Sequence, residues 1–204
     1  MKSGTFKPSE LPDTAALERV VALERKKRRT VAALRSTLFT LITISASAVL
    51  IATLWLPVLQ ISGASMTPSL NDGELVVAVK NKDFTTGDII AFYYNNKILI
   101  KRVIAGPGDW VDISETGIVS VNNIVLEEPY VLEPALGECN ITLPYQVPES
   151  RYFVMGDHRS VSVDSRNTAV GCVSYEQVVG RLRLRIWPLQ RIGILNAGEK
   201  SDET

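Results

Sequence analysis

Histidine and cysteine are scarce in this sequence, which limits the chemistry that it can carry. The 204 residues include one histidine, His158, and two cysteines, Cys139 and Cys172, whose pairing the sequence leaves open. A histidine-based catalytic triad would have to use His158, and three such residues at these spacings do not make a zinc site. No Gly-x-Ser-x-Gly or Ser-x-x-Lys motif, phosphate-binding loop or dinucleotide fingerprint occurs. We therefore expect no metal and no other cofactor, and an enzyme with this sequence must use a less common nucleophile pair.

The sequence also has no excess of either charge, since 22 Lys and Arg balance 22 Asp and Glu. This balance argues against a general nucleic-acid binder, which is normally basic. The 46% hydrophobic content excludes disorder over the whole length. The balance is uneven along the chain, however. Residues 1–35 contain nine basic and four acidic residues, a net charge of +5, and residues 36–204 contain thirteen and eighteen, a net charge of −5. The two parts are predicted to lie in different environments.

An uncharged run of 24 residues, 36–59, begins the second part. As a helix it would reach roughly 36 Å, enough to cross a hydrocarbon core of about 30 Å. Five basic residues at 25–29 precede it and no charge follows until Asp72, so the positive-inside rule predicts a cytoplasmic N-terminus. The alternatives are a buried core helix and a signal peptide cleaved at the Ala-Ser-Ala sequence 46–48. The length of the run and its apolar continuation favour a retained single-span anchor.

The span divides the chain into three predicted regions of a single-pass plasma-membrane protein. These are a basic, partly helical cytoplasmic tail over 1–35, a transmembrane helix over 36–59 and an extracytoplasmic β-domain over 60–204. The helix of the tail would begin with Asp13 or Thr14 as its N-cap.

Short runs of β-branched and aromatic residues, separated by Asn, Asp, Gly and Pro, fill the part after the span and are typical of strands. The predicted strands are 75–79, 89–94, 98–105, 110–113, 118–121, 152–155, 170–173 and 181–187. Asn95-Asn96 predicts a tight hairpin, and the turn-rich stretch at about 126–150 predicts an irregular insertion. The predicted fold class is mainly β, a compact antiparallel domain anchored by one N-terminal transmembrane helix.

The last strand, 181–187, alternates strictly between arginine and apolar residues. Because side chains alternate across a strand, Leu182, Leu184 and Ile186 are expected to face a core and the arginines a solvated surface.

Two residues stand out as a candidate nucleophile and base. Ser65 lies in Ser62-Gly-Ala-Ser-Met-Thr-Pro-Ser-Leu70, where small residues precede it and Pro68 stiffens the turn behind it. Lys101 lies in a predicted strand, and burial there would lower its pKa until a neutral amine can accept a serine proton. Strand parity does not decide whether Lys101 or Arg102 is the buried cation, but only the lysine can serve as a base.

A third polar cluster occupies residues 156–166. These eleven residues contain two carboxylates, two arginines and three serines between apolar flanks. The composition fits both an exposed polar loop and a hydrogen-bond network that supports an active site.

At these residues the sequence resembles the bacterial type I signal peptidases, membrane-bound endopeptidases that remove leader peptides with a serine and a lysine. Four segments match that family in order. They are Ser-Met-x-Pro-x-Leu at 65–70, Gly-Asp-Ile-Ile-Ala-Phe at 87–92, Lys-Arg-Val-Ile-Ala-Gly-Pro-Gly-Asp at 101–109, and Gly-Asp to Asp-Ser-Arg at 156–166.

The resemblance implies roles for the matching residues. Ser65 would be the nucleophile and would place its backbone N–H in the oxyanion hole, Lys101 would be the general base, and Ser162 would hydrogen-bond and orient the lysine amine. Four residues would form the supporting network: Asp164, Arg166, Arg102 and Asp157. Apolar pockets for small substrate side chains would involve Ile61, Gly63, Met66, Leu70, Leu99 and Ile100. The substrate would bind as an added strand along the segment 57–63.

Two positions depart from the family pattern. Gly63 stands where some members carry a serine whose hydroxyl assists the oxyanion hole, so the Ser65 N–H would carry more of that charge. His158 stands where an asparagine is usual, and we expect it to be a surface loop residue.

The partners implied by the resemblance are preproteins cleaved after a small-x-small motif and the lipid bilayer, with the export translocon nearby and no nucleic acid. Two alternatives remain. One is a specialised processing peptidase of a conjugation or pilus system, and the other is a non-catalytic anchored β-domain that binds a partner.

Overall fold

The computed structural model describes residues 14–81 and 83–195. The chain divides into two compact units, one ending at Ile51 and the other beginning at Ala52.

One long helix accounts for the described residues of the first unit and continues past its end. Helix α1 runs from Thr14 to Trp55, a length of 42 residues, and its part Val21–Leu50 is long and apolar enough to cross a membrane by length and composition. Its described side chains are all exposed. Four threonine hydroxyls along it donate to the carbonyl four residues earlier at 2.9–3.0 Å. Such bonds satisfy a hydroxyl without water.

The helix differs from the predicted span at both ends. It continues without a break through residues that the sequence assigned to the tail, while Asp13, a predicted cap, lies outside the described residues. It ends at Trp55 rather than near Leu59, because Pro57 cannot donate a helical hydrogen bond and disfavours the helical conformation of the residue before it. The apolar Val58 and Leu59 belong instead to a strand.

The second unit contains two antiparallel sheets, so the predicted fold class is confirmed. The first sheet contains, in spatial order, β1 (Val58–Gln60), β2 (Leu75–Val79), β11 (Val178–Trp187), β3 (Ile89–Tyr94), β4 (Lys97–Ala105), β9 (Arg151–Met155) and β10 (Val173–Ser174), with β12 (Gly193–Ile194) beside β11. The second contains, in order, β7 (Ile124–Val125), β6 (Val119–Val121), β5 (Trp110–Ile113) and β8 (Tyr145–Gln146). Two short 3-10 helices flank β11, at Tyr175–Gln177 and Leu189–Arg191.

The hairpin of β3 and β4 sets the position of Lys101. Asn95 and Asn96 form the two-residue turn, as predicted, with Tyr94 opposite Lys97 and Asn95 at a φ of 50°. Asparagine tolerates this left-handed conformation, which two-residue hairpin turns require. Counting from the turn, the register places Lys101 opposite Ile90.

Strand β4 is buried on both faces in its second half, from Lys101 to Ala105. One apolar cluster packs Ile104 of β4 against Val111 of β5 and Phe153 of β9, and so joins the two sheets. A separate cluster places Met66, Leu70, Val76 and Leu182 together beneath the segment that carries Ser65. Since β4 is buried on both faces here, the side chains of Lys101 and Arg102 are both buried. Strand parity therefore could not identify one of them as the buried cation.

The expected alternation in β11 is only partly correct. Leu182 is buried but Leu184 and Ile186 are half-buried, because register shifts interrupt the pairing of β11 with β2. Two of the arginines are half-buried in ion pairs. Arg181 binds the buried carboxylate of Asp88 at 2.9 Å, and Arg185 binds that of Glu74 at 3.0 Å.

Two other segments refine the predicted boundaries. The strand expected over 170–173 is reduced to Val173–Ser174, because Gly171 has a φ of 62° in a turn. The insertion expected at 126–150 contains one short strand, β8, and is otherwise irregular.

The two leucines of β11 provide a test of this packing. Leu182→Ala is expected to destabilise the protein by about 2–5 kcal/mol, because it leaves a cavity in the cluster beneath the Ser65 segment. Leu184→Ala is the matched control and should cost clearly less, since that side chain is half-buried. Urea denaturation of the detergent-solubilised chain, followed by tryptophan fluorescence, measures both. Equal losses would contradict the burial described for β11.

Candidate active site

Ser65 lies in a turn that apolar side chains anchor from below. Met66 and Leu70 are 2% and 0% exposed in the core, and the Leu70 N–H donates to the Met66 carbonyl at 2.8 Å. The Gly63 N–H donates to Asp72 Oδ1 at 2.7 Å, and Gly63 has a φ of 91°, which favours glycine at this position. The buried anchors on one side leave Ser65 itself half-buried and open to the other.

The lysine amine meets the serine hydroxyl directly. Lys101 is 3% exposed, and its Nζ donates to Ser65 Oγ at 2.7 Å. Burial lowers the pKa of Lys101 from the ordinary value, since desolvation disfavours the ammonium. The negative charges of Asp164 and Asp157 raise this pKa, but they offset the effect of burial only in part. The pKa of the amine is therefore shifted in the direction that a general base requires.

The carboxylate of Asp164 is the centre of a fully buried network. Ser162 Oγ donates to Asp164 Oδ2 at 2.7 Å, and the Gly156 N–H donates to the same oxygen at 2.9 Å. Arg166 binds both carboxylate oxygens at 2.8 Å. The expected hydrogen bond between Ser162 and the amine of Lys101 is not formed among the described residues, where the Ser162 hydroxyl donates to Asp164 and the amine contacts Ser65.

Arg166 also ties the network to the irregular segment. Its guanidinium donates to the carbonyls of Leu136 at 2.7 Å and of Ala135 at 3.2 Å, and to that of Arg159 at 2.9 Å. The insertion thereby closes over the ion pair and excludes water from it.

Arg102 and Asp157 form a second buried ion pair. Arg102 Nε donates to Asp157 Oδ1 at 2.8 Å and Nη2 to Oδ2 at 2.7 Å. A further bond reaches the carbonyl of Gly87 at 2.8 Å. The guanidinium lies 3.8 Å from the centre of the Tyr130 ring, a cation–π contact. Four of the residues predicted as support, Asp164, Arg166, Arg102 and Asp157, thus occur as two paired sets.

Sequence reasoning missed three members of this network. Arg159, fully buried, binds the carboxylate of Glu128, and the Tyr130 hydroxyl donates to Glu128 at 2.9 Å. Burial raises the pKa of Tyr130. Three arginines beside only two aspartates would have indicated a third carboxylate, since buried charges are paired. No motif identifies Glu128 as that residue.

His158 does not behave as a surface loop residue, so that expectation is wrong. The residue is half-buried, its N–H donates to the Ser65 carbonyl at 3.1 Å, and its Nδ1 lies 3.0 Å from Thr67 Oγ1. The histidine therefore contacts the turn both at Ser65 and at Thr67.

A cavity of about 300 Å³ opens beside Ser65 and Lys101. Among the residues predicted to contact substrate, those that line it are Ile61, Gly63, Met66, Leu99 and Ile100. Leu70 does not line it, because its side chain is in the core. Strand β1 forms an edge of the first sheet and borders the cavity, so its outer backbone groups can pair with an extended peptide.

The cysteines and acidic residues have no further role in the described site. Cys139 and Cys172 are both free thiols, and no group of three or more His, Cys, Asp or Glu among the residues that the structure describes could hold a metal ion.

Comparison with known protein families provides a test of the resemblance that the sequence motifs indicate. The profile described as signal peptidase, peptidase S26, matches residues 34–187. This chain belongs to the signal peptidase family.

Individual relatives match a smaller part. The chain is 37% identical over 150 residues to thylakoidal processing peptidase 1 of Arabidopsis thaliana, covering 65% of this chain and 42% of that protein. It is 36% identical over 149 residues to signal peptidase IB of Staphylococcus aureus strain COL, covering 63% and 76%. A solved signal peptidase I from Enterococcus faecalis is 31% identical with a TM-score of 0.41, covering 50% of this chain and 99% of that one. This chain spans less than half the length of its two Arabidopsis relatives.

The buried amine predicts an unusual effect on stability. Lys101→Met should raise the thermal midpoint at neutral pH, because the unfolded lysine is protonated while burial disfavours the ammonium in the folded state. Between the lowered pKa of Lys101 in the folded state and its pKa of 10.5 in the unfolded state, the stability of the wild type rises with pH. The advantage of the variant should therefore shrink as the pH approaches that value.

The matched control for this substitution is Lys97→Met, an exposed lysine on the same strand. It should change the thermal midpoint little at any pH. If Lys101→Met loses stability, and by an amount independent of pH, the assignment of a desolvated amine is incorrect.

Proposed function

We propose that this protein is a membrane-anchored serine endopeptidase that removes signal peptides from exported preproteins. The observation that carries the proposal is the 2.7 Å contact between the buried Lys101 amine and the Ser65 hydroxyl, at the edge of a cavity. Family membership and the printed name of the Staphylococcus aureus relative, signal peptidase IB, support the choice of reaction.

The geometry supports a two-step acyl transfer. Ser65 Oγ attacks the scissile carbonyl carbon while its proton moves to neutral Lys101 Nζ. The tetrahedral oxyanion accepts a hydrogen bond from the Ser65 N–H, and Lys101 then gives the proton to the leaving amine. A water molecule, deprotonated by the same amine, hydrolyses the acyl-enzyme and releases the product.

Ser162, Asp164 and Arg166 act on this reaction through Lys101. Arg166 compensates the Asp164 charge, which on its own would favour the ammonium form. Ser162 and the Gly156 N–H satisfy the remaining acceptor positions of that carboxylate. Arg102 and Asp157 form the equivalent pair on the other face of β4.

The substrate is proposed to be an extended peptide with small residues at the cleavage site. Such a peptide adds to the free edge of β1, and its side chains enter the cavity alternately. Leu99, Ile100 and Met66 form apolar walls that limit the size of those side chains.

The apolar helix supports a location in the membrane that holds the substrate's own leader. We propose a single pass through the plasma membrane, with the basic residues 25–29 on the cytoplasmic side and the β-unit outside. Enzyme and scissile bond are then confined to the same bilayer, which raises their effective concentration.

The central test is cleavage of a preprotein with a small-x-small motif by the detergent-solubilised chain. Ser65→Ala and Lys101→Met should each reduce kcat/KM by at least about 10³-fold, since nucleophile and base act as a unit. Mass spectrometry of the products identifies the cleaved bond.

Ser160→Ala and Lys97→Met are matched controls at exposed positions and should retain activity. A Lys101→Met enzyme with near-normal turnover would disprove the dyad. A wild-type protein that cleaves no preprotein would disprove the proposed function.

Specificity provides a separate test of the cavity. Leu99→Ala should widen the pocket and improve cleavage of a preprotein with Val in place of Ala at the small positions. The expected change in relative kcat/KM is about 10-fold or more, in line with the 1–3 kcal/mol that a hydrophobic pocket assigns to a methylene group. Preprotein variants in one competition assay measure it, and an unchanged preference would show that Leu99 does not limit side-chain size.

A further inference from the structure

Two hydrogen bonds connect His158 to the turn that carries the nucleophile. The backbone N–H of His158 donates to the Ser65 carbonyl at 3.1 Å, and the imidazole Nδ1 lies 3.0 Å from Thr67 Oγ1. Neither side chain is required for the serine–lysine dyad itself, so their contact needs a separate explanation.

The protons in this contact can be assigned from the neighbouring bond. Thr67 Oγ1 donates to the Ala64 carbonyl at 2.8 Å, and a carbonyl oxygen only accepts. The single hydroxyl proton is therefore used, and the threonine oxygen is left as an acceptor toward the ring. His158 must carry its proton on Nδ1, so the chain runs from imidazole N–H to threonine hydroxyl to the Ala64 carbonyl.

The Ala64 carbonyl determines where the oxyanion donor points. It accepts both the Thr67 hydroxyl and, at 3.2 Å, the Thr67 N–H. In a trans peptide the carbonyl of one residue and the N–H of the next point in opposite directions. Fixing the Ala64 oxygen in the turn therefore fixes the Ser65 N–H on the opposite side. That N–H donates to no other residue in the described part of the chain, which leaves it available to an oxyanion.

His158 is well placed to serve as a rigid support. Its two neighbours, Asp157 and Arg159, are each held in a buried ion pair. Its own carbonyl accepts the N–H groups of Ser162 at 3.1 Å and of Val161 at 3.3 Å. The imidazole thus connects the turn of the nucleophile to the loop that surrounds the lysine.

We propose that Thr67 and His158 are positioning residues that orient the Ser65 N–H for the oxyanion through the Ala64–Ser65 peptide. The proposal rests on the proposed function for its catalytic consequence, although the proton arrangement is independent of activity. It also gives a role to the position where His158 replaces the asparagine usual in the family. The side chain there must supply a hydrogen-bond donor at its δ position.

The tautomer of His158 gives the first test. The chain has a single histidine, so imidazole ¹⁵N–¹H correlation spectra of the full chain in detergent need no assignment. At a pH where the ring is neutral, we expect the Nδ1–H tautomer in the wild type. In Thr67→Val the spectrum should shift toward the Nε2–H form. A wild-type spectrum with Nε2–H would overturn the proposal whether or not the protein cleaves preproteins.

Kinetics give the second test, because an oxyanion contact stabilises the transition state and not the bound substrate. Thr67→Val should lower kcat by about 10- to 100-fold with KM nearly unchanged. Thr67→Ser keeps the hydroxyl and should therefore keep a kcat close to that of the wild type. Thr116→Val, the same substitution in an exposed turn, is the matched control and should have no effect.

Substitutions at position 158 distinguish a side chain that donates a hydrogen bond from one that only fills the space. Asparagine offers an N–H at the δ position, so His158→Asn should remain close to the wild-type kcat. Leucine has a similar shape but no donor, so the kcat of His158→Leu should fall as far as that of Thr67→Val. The kcat of the double variant should fall little further. Equal rates for the Asn and Leu variants, or additive losses in the double variant, would overturn the proposal. Inactivity of the wild type would instead refute the proposed function.

Discussion

The site depends on keeping the Lys101 amine out of water. A lysine in solvent is protonated near neutral pH and cannot accept a proton from a serine. Burial weakens this preference because it disfavours the ammonium and lowers the pKa of the amine. Two nearby carboxylates, those of Asp164 and Asp157, act in the opposite direction and raise this pKa. Each carboxylate is paired with an arginine, and the positive charge of Arg166 adds to the lowering of the pKa that desolvation causes.

Those ion pairs impose requirements of their own. A buried guanidinium has five N–H groups that need hydrogen-bond acceptors, and a single carboxylate accepts from only some of them. Arg166 uses the backbone carbonyls of Ala135 and Leu136, and Arg102 stacks on Tyr130. All three of these partners come from the irregular segment 126–150. A segment without regular hydrogen bonding has free carbonyls to offer, which explains why the structure uses a loop rather than a strand here.

Local patterns in the sequence were sufficient for most of the strands, for the hairpin and for singling out Ser65 and Lys101 as a candidate pair. Ser65 and Lys101 lie in segments whose period and turn chemistry are readable within ten residues. The remainder depends on contacts across long separations, such as that of Arg159 with Glu128, 31 residues earlier. The prediction that the arginines of β11 face solvent was wrong in part for the same reason, since Asp88 and Glu74 come from distant parts of the chain. Ser162 was placed in the right network, but its hydroxyl donates to Asp164 and forms no hydrogen bond with Lys101 among the described residues.

The same pairing determines how the site responds to its surroundings. Exposed charges are screened by salt, with a Debye length of about 8 Å at physiological ionic strength, whereas buried pairs are screened much less. The carboxylates that act on Lys101 are 0–2% exposed and each is bound by an arginine. If the β-unit faces the outside of the cell, as proposed, it meets a medium whose salt content the cell does not control. A base whose pKa is set by internal partners can work there without depending on that medium.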